Sequence, residues 1–281
     1  MEAFEFVREL ATELSENSIE LPSFPDVAVR VQKVLADEKT SSERIVRVLG
    51  AEPMLAARVL CMANSAALNP SGTAVTELRA AITRLGFDAL RTAVMSFAMA
   101  QLRRARAFKA IERHLNVLWQ HSVQVAAAAF VVARRTGRAN PDTAMLTGLV
   151  HGVGKLYILT HTQRHPALFG DQAMYQRIVR DWHANISKAL LESWNMAEDI
   201  VIAAHTYEDN ERDGRGPSGA LADILATAEL LSSCREAPEL LQQRVPTQKG
   251  AARLGLDLEA CRKMIEESAE EVGALREALG S

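Results

Sequence analysis

What most constrains the fold of this chain is the spacing of its apolar residues. They recur three and four positions apart almost throughout, and sustained alternation of apolar and polar residues is nearly absent. A period near 3.6 buries one stripe of a helix, whereas a half-buried strand needs a period of two. Phe4, Val7, Leu10, Ala11 and Leu14 form one such stripe, and Val27, Val31, Val34 and Leu35 form the next. Ile45, Val48 and Leu49 continue the pattern, followed by Leu55, Val59, Leu60 and Met62. Aromatics are only 5% of the chain, so its 48% apolar content rests mainly on Ala, Leu, Val, Ile and Met. Ala and Leu are strong helix formers. The expected fold is all-α, a helical bundle in two lobes.

Punctuation supports this reading. Pro22, Pro25 and Pro53 suit the approach to a helix or its first turn. Asn17 and Ser18 end the first helix, Ser41 or Ser42 can cap the third, and Asn69-Pro70-Ser71-Gly72 reads as a loop. Gly86 and Gly137 are placed as helix stops. Asn140-Pro141-Asp142 starts a helix expected to run through AMLTGLVHGVGKLYIL, with further helices near 171–181, 184–194 and 197–208. Glu208–Gly219 reads as a mobile loop, and a last group of helices follows Ser233. No repeat of fixed length is evident.

Composition narrows function mainly by exclusion. A net charge of −3 provides no global field for nucleic acid or anionic lipid. Cys61, Cys234 and Cys261 are scattered, so neither a disulfide framework nor a thiolate zinc site is expected. The N-terminus lacks a basic, then apolar, export signal, and Val123–Ala133 is too short to span a bilayer. A cytoplasmic protein without membrane partners is the expectation. The basic run Gln101–His114 reads as a charged connector between lobes, and its Arg103, Arg104, Arg106 and Lys109 are candidates for contact with a protein partner. Nucleic acid is disfavoured there because no stacking aromatics alternate with the charges.

No phosphate-binding glycine loop, HExxH or GxSxG motif is present. The informative residues are polar groups on apolar helices, where a bare charge is costly. They are His121 in LWQHSVQVAAAAFVVA, His151 in LTGLVHGVGKLYIL, His183 in WHANISKALLESW, His205 in IVIAAHTYED and Asp223 in ALADILATAELL. Imidazoles and carboxylates converging from several helices are the usual makings of a metal site in a bundle. Each one alone is more simply a hydrogen-bonded core residue. Asn64 and Ser65 read as a helix end, and Trp119, Trp182 and Trp194 as core contacts.

The order of these residues resembles the HD superfamily of metal-dependent phosphohydrolases: a histidine, then a histidine followed by GxGK, then a late aspartate. LPSFPDVAVRVQKVLADEKTSSERIVRVLGAEPMLAARVLCMANSAAL, VTELRAAITRLGFDALRTAVMSFAM and HANISKALLESWNMAEDIVIAAH are similar to HDOD domains, the superfamily's output-domain branch. The resemblance implies a domain over 18–233, with an N-terminal lobe over 18–110 and an HD-like lobe over 111–233. The N-terminal helix, 1–17, and a helical extension, 234–281, flank it.

By the same resemblance His121 and His151 match ligand histidines and Asp223 the last ligand aspartate. His183 and His205 fall near the extra histidines of two-metal HD-GYP relatives, and Lys155 matches the lysine after the doublet. The departure is Gly152, which stands where active enzymes carry the metal-bridging aspartate. The resemblance therefore implies a non-catalytic bacterial signalling or regulatory module, working through signalling proteins in trans. No cofactor is expected, though a single divalent metal is admissible. The alternatives are a metal-dependent phosphodiesterase and a sensor that binds a nucleotide or cyclic dinucleotide in the old pocket.

Overall fold

The computed structural model describes residues 2–16, 18–22, 24–37, 39–69, 71–165 and 170–280. Asn17 and Pro70, which the sequence marks as breaks, lie outside them. Among the described residues there is no strand. Helices α1 (Glu2–Ser15), α2 (Asp26–Ala36), α3 (Ser42–Gly50) and α4 (Pro53–Ala63) lead into the long α5 (Leu78–Arg104). Pro25 precedes α2, Ser41 Oγ caps α3 by accepting from the Arg44 amide, and Pro53 occupies the first turn of α4. Asn64 ends α4, and its side chain both accepts from Val75 N and donates to Val75 O, at 2.7 Å each. It is a helix end tied to a loop.

Gly86 interrupts the helical backbone of α5, with φ of 71°, so two helical segments meet there at a kink. Beyond the kink α5 packs on α7 as well as on the first helices, so this one helix belongs to both lobes. The expected long connector is correspondingly short. Helix α5 extends to Arg104, and a 3₁₀ stretch, Arg106–Ile111, leads directly into α6 (Glu112–Thr136). Gly137, at φ of 64°, ends α6 as a left-handed cap.

The second lobe comprises α6, α7 (Pro141–Val150), α8 (Val153–His161), α9 (Gln172–Ser193), α10 (Glu198–Thr206) and α11 (Gly216–Cys234). Two expectations change. The segment read as one helix through residue 159 is broken at His151–Gly152, the junction of α7 and α8. The segment read as two helices is the single α9, which places His183 in mid-helix rather than at a start.

Helix α6 is the central element, packed against α7, α11 and the C-terminal helix. The helical stretch Arg106–Thr136 is long and apolar enough by length and composition to cross a membrane, more than the short apolar run in the sequence suggests. In this fold 61% of its most apolar window is buried, which makes it a core helix. Its run Ala126–Ala129 is buried, and a Cβ added to Gly148 of α7 would lie 2.7 Å from the Ala126 Cα. Two backbones meet there because neither brings a side chain to the crossing.

Short helices α12 (Leu241–Arg244) and α13 (Lys249–Arg253) lead to α14 (Leu258–Glu267) and α15 (Ala269–Leu279). The last two lie along α6, where Arg135 pairs with Glu267 at 2.7 Å and Arg134 with Glu271. Helix α13 contributes Arg253 to a buried ion cluster. Arg253 Nη2 and Nε donate to Asp223 at 2.6 and 2.9 Å, and Arg212 donates to the same carboxylate. Asp223 and Arg212 keep only 3% and 5% of their side-chain exposure. The loop after α10, expected to be mobile, is thus pinned to α11 by Arg212, and Asn210 O accepts from Arg253 at 3.5 Å.

Three substitutions test this packing. Gly148→Ala should cost about 1–3 kcal/mol in urea unfolding, because a methyl group there meets backbone. Gly273→Ala, in α15 with nothing within 4 Å of the new Cβ, should be neutral or gain up to about 1 kcal/mol. Asp223→Ala leaves two guanidiniums unpaired and should cost about 3–5 kcal/mol by the same measurement. A loss below 1 kcal/mol would show that the cluster is not a structural tie.

Candidate metal site at the lobe core

Three helices place a histidine, a histidine and a carboxylate together. His121 comes from the middle of α6, His151 from the end of α7, and the carboxylate is Glu229 of α11. One ligand atom from each lies within 4.8 Å of the other two. His121 Nε2 is 2.9 Å from Glu229 Oε2, and His151 Nε2 is 3.7 Å from the same oxygen. The two imidazole rings are 5.7 Å apart, edge to face.

Hydrogen bonding fixes the state of His151. Its Nδ1 lies 2.6 Å from the Gly148 carbonyl oxygen, which can only accept, so Nδ1 carries the proton. Nε2 is buried without a hydrogen-bond partner. Burial, the largest influence, opposes charging the ring and outweighs the attraction of Glu229, so the group is held down at about 4. Near neutral pH the Nε2 lone pair therefore faces a carboxylate oxygen. Burial pushes Glu229 up, but the His121 hydrogen bond and the nearby Lys155 charge outweigh it and hold the carboxyl below the usual carboxylate range. The unpartnered His151 Nε2 and Glu229 Oε2, the latter also 2.9 Å from His121 Nε2, form a donor set that could hold a small cation.

The dimensions suit a small ion. Nitrogen and oxygen ligands at roughly 2.0–2.2 Å from zinc are about 3.3–3.5 Å apart in a tetrahedron. The separations here bracket that range, and three protein ligands leave a fourth position open. The residues fit one ion. They do not fit two, since Gly152 offers no ligand atom. A Cβ at Gly152 would meet Ser122 Oγ at 3.5 Å, beside a cavity of about 30 Å³ lined by Leu102, Leu115, Leu118, Trp119 and Leu149.

The grouping differs from the sequence reading in its carboxylate. Asp223 is not part of it, because its oxygens are taken by Arg212 and Arg253. Six residues along a helix rotate a side chain by about 120° and advance it about 9 Å, so Asp223 and Glu229 face different neighbours. Glu229 interrupts the same apolar run, ALADILATAELL, and that was the available signal for it.

Of the other expected residues, His183 and Lys155 gather on Glu208 beside His151, and His205 does not. His183 Nε2 is 3.1 Å from Glu208 Oε2, with its Nδ1 buried and unpartnered. Tyr207 donates to Glu208 at 2.7 Å and stands edge-on to His151 at 5.6 Å. Lys155 Nζ lies 3.4 Å from Glu208 and 3.5 Å from Tyr207. Burial raises the Glu208 carboxyl, but hydrogen bonds and charge from His183, Lys155 and Tyr207 lower it well below the usual carboxylate range. His205 turns away, with Nε2 at 3.0 Å from Asn185 Oδ1.

The same arrangement of helices occurs in solved structures. A Shewanella amazonensis protein, provisionally named as a metal-dependent phosphohydrolase, is 26% identical, with 95% of this chain and 99% of that chain covered and a TM-score of 0.71. An HDOD domain protein of unknown function from Geobacter sulfurreducens is 24% identical, with 96% of each chain covered and a TM-score of 0.64. A Marinobacter aquaeolei protein, provisionally named for signal transduction, is 21% identical, with 93% of this chain and 60% of that one covered and a TM-score of 0.61. A comparison with curated proteins finds no significant match. The HDOD domain family matches residues 21–209, two thirds of the chain, and stops short of the helix that carries Asp223 and Glu229. On that match, over most of both lobes, the chain belongs to the HDOD domain family.

Proposed function

We propose that this protein is a non-catalytic signal-transduction or regulatory module that acts through contacts with other proteins. Gly152 is the observation that carries the reading. Two-metal phosphodiester hydrolysis relies on paired ions to generate the nucleophile and to clamp the phosphate oxygens. A doublet without its carboxylate cannot bridge a pair, and the one other carboxylate expected to help, Asp223, is bound to two arginines. The name of the Shewanella relative points to phosphohydrolase chemistry, and that of the Marinobacter relative to signalling. This chain's own residues favour the second.

With added manganese, magnesium or zinc, the purified protein is expected to leave cyclic dinucleotides and bis(p-nitrophenyl) phosphate unhydrolysed above background. Turnover that disappears in His151→Ala protein would overturn the reading and restore the phosphodiesterase alternative.

A second reading is favoured by the buried His151 Nε2 facing Glu229. His121, His151 and Glu229 would hold one divalent ion, whose contribution would be charge compensation and the cross-linking of α6, α7 and α11. Lys155 and Tyr207 stand beside it and would orient an anion at the open position, the arrangement a nucleotide sensor would use. Isothermal titration with zinc or manganese should show one site per chain, weakened at least about tenfold by Glu229→Gln and unchanged by His205→Ala. Equal affinity in Glu229→Gln protein, or two ions per chain, would remove this reading.

A further inference from the structure

A second feature lies on the opposite flank of α6, outside the histidine cluster. Helices α4 and α5 form the walls of an open groove of about 450 Å³, which Gly280 also lines. Its apolar lining includes Met54, Ala57, Phe97 and Ala100, and Met54 is 65% exposed. Three guanidiniums, Arg58, Arg103 and Arg104, line the same groove. Arg58 donates to the Ala278 carbonyl at 3.1 Å, and Arg103 lies over the Trp119 ring at 5.3 Å. None of the three forms an ion pair with a carboxylate among the described residues.

Arginine stays charged in a protein, so three guanidiniums on one groove make a positive surface, compensated among the described residues only by the nearby charge of Glu112 on Arg103. Burial above all, with Arg104 adding to it, pulls the Arg58 guanidinium down, and burial followed by Arg104 pulls Arg103 down. The basic run found in the sequence divides here. Arg103 and Arg104 turn towards α4, whereas Lys109 lines a separate shallow depression with Arg113 and Val117.

We propose that the groove between α4 and α5 is the docking site for an acidic amphipathic helical segment of a partner protein. Charge complementarity sets the choice. A free phosphate would satisfy the arginines but leave the exposed Met54 and Ala57 uncovered. A helix carrying apolar residues on one face and glutamates at its border covers both. Planar guanidiniums pair with carboxylates in two-pronged fashion, which fixes register as well as charge. The proposal rests on the reading of the protein as a contact module, and it names the surface and the chemistry of the partner.

Cys61 offers a local probe, since it is exposed and lines the groove, whereas Cys234 and Cys261 are buried. Burial also pushes the Cys261 thiol up to about 11, which slows its alkylation. The experiment follows N-ethylmaleimide modification of Cys61 in the full chain, with peptide anisotropy measured in parallel. The probe is a short helical peptide with leucines on one face and glutamates along its border. Saturating peptide should slow Cys61 modification about tenfold, and the effect should weaken with salt. Replacing the peptide's glutamates by glutamine should abolish it. Arg104→Glu, at an exposed residue with no ion pair, should weaken protection roughly fivefold or more.

Protection by the glutamine peptide equal to that by the acidic one would overturn the proposal. So would equal protection by inorganic phosphate or by phosphatidylserine vesicles, which would assign the groove to a free anion or to a lipid surface. If anisotropy reports peptide binding while Cys61 stays fully reactive, the groove is wrong but a contact module stands. Failure of the non-catalytic reading itself would show separately, as metal-dependent turnover.

Discussion

The close crossing of α6 and α7 is the constraint on which the site depends. Ala126 and Gly148 have no side-chain bulk to keep the two backbones apart. The chain continues from Gly148 to His151, and from Ala126 back to His121, less than two turns away in each direction. Bringing the backbones together thus brings the two rings to 5.7 Å. The Gly148 carbonyl then accepts from His151 Nδ1 and fixes its tautomer, so one glycine sets both the position and the protonation of the ligand. Apolar packing does the positioning, and the polar groups inherit their geometry from it.

Helix α11 completes the site from beyond the span matched by the family, and the C-terminal extension holds α11 in place. Arg253 of α13 reaches Asp223, and Arg212 of the preceding loop binds the same carboxylate. Removing either arginine would leave a nearly fully buried aspartate under-compensated, which is costly in a low-dielectric interior. The orientation of α11, and with it the direction of Glu229, rests on this cluster. Asp223 therefore acts on the site from less than two turns away along α11, through the helix it shares with Glu229 rather than through a contact.

The fold was largely legible in the sequence because helical periodicity is local. Pro53, Ser41, Gly137 and Asn140 marked helix ends by chemistry acting within a few residues. Where the reading failed, tertiary packing outweighed the local signal. The stretch through His151 is apolar enough to read as continuous, and it breaks because α8 must turn to pack on α9. His121 and His151 could be found because a polar group on an apolar helix stands out. Choosing between Asp223 and Glu229 could not be done that way. Both interrupt one run, and which of them faces α6 depends on how α11 is rotated in the folded core. Arg212 and Arg253, far apart in sequence and ordinary in their surroundings, gave no signal of a shared partner.

Helix α6 connects the two polar features of the molecule. His121 faces Glu229, while Trp119, two residues earlier, donates to the Gly280 carbonyl at 3.4 Å and carries Arg103 over its ring. Two residues of a helix differ by about 200° in direction, so these side chains occupy opposite flanks of one rigid rod. Ser96 of α5 adds a second tie by donating to the Leu279 carbonyl at 2.8 Å. An axial shift of α6 would therefore disturb the hydrogen bond to Glu229 and the seat of the C-terminal helix together. The two features are separate in chemistry but share a mechanical element, so an occupant of the histidine cluster can bias the groove only through a preference for one position of α6. The coupling can be no larger than that preference, and a ligand indifferent to the position of α6 transmits nothing however tightly it binds.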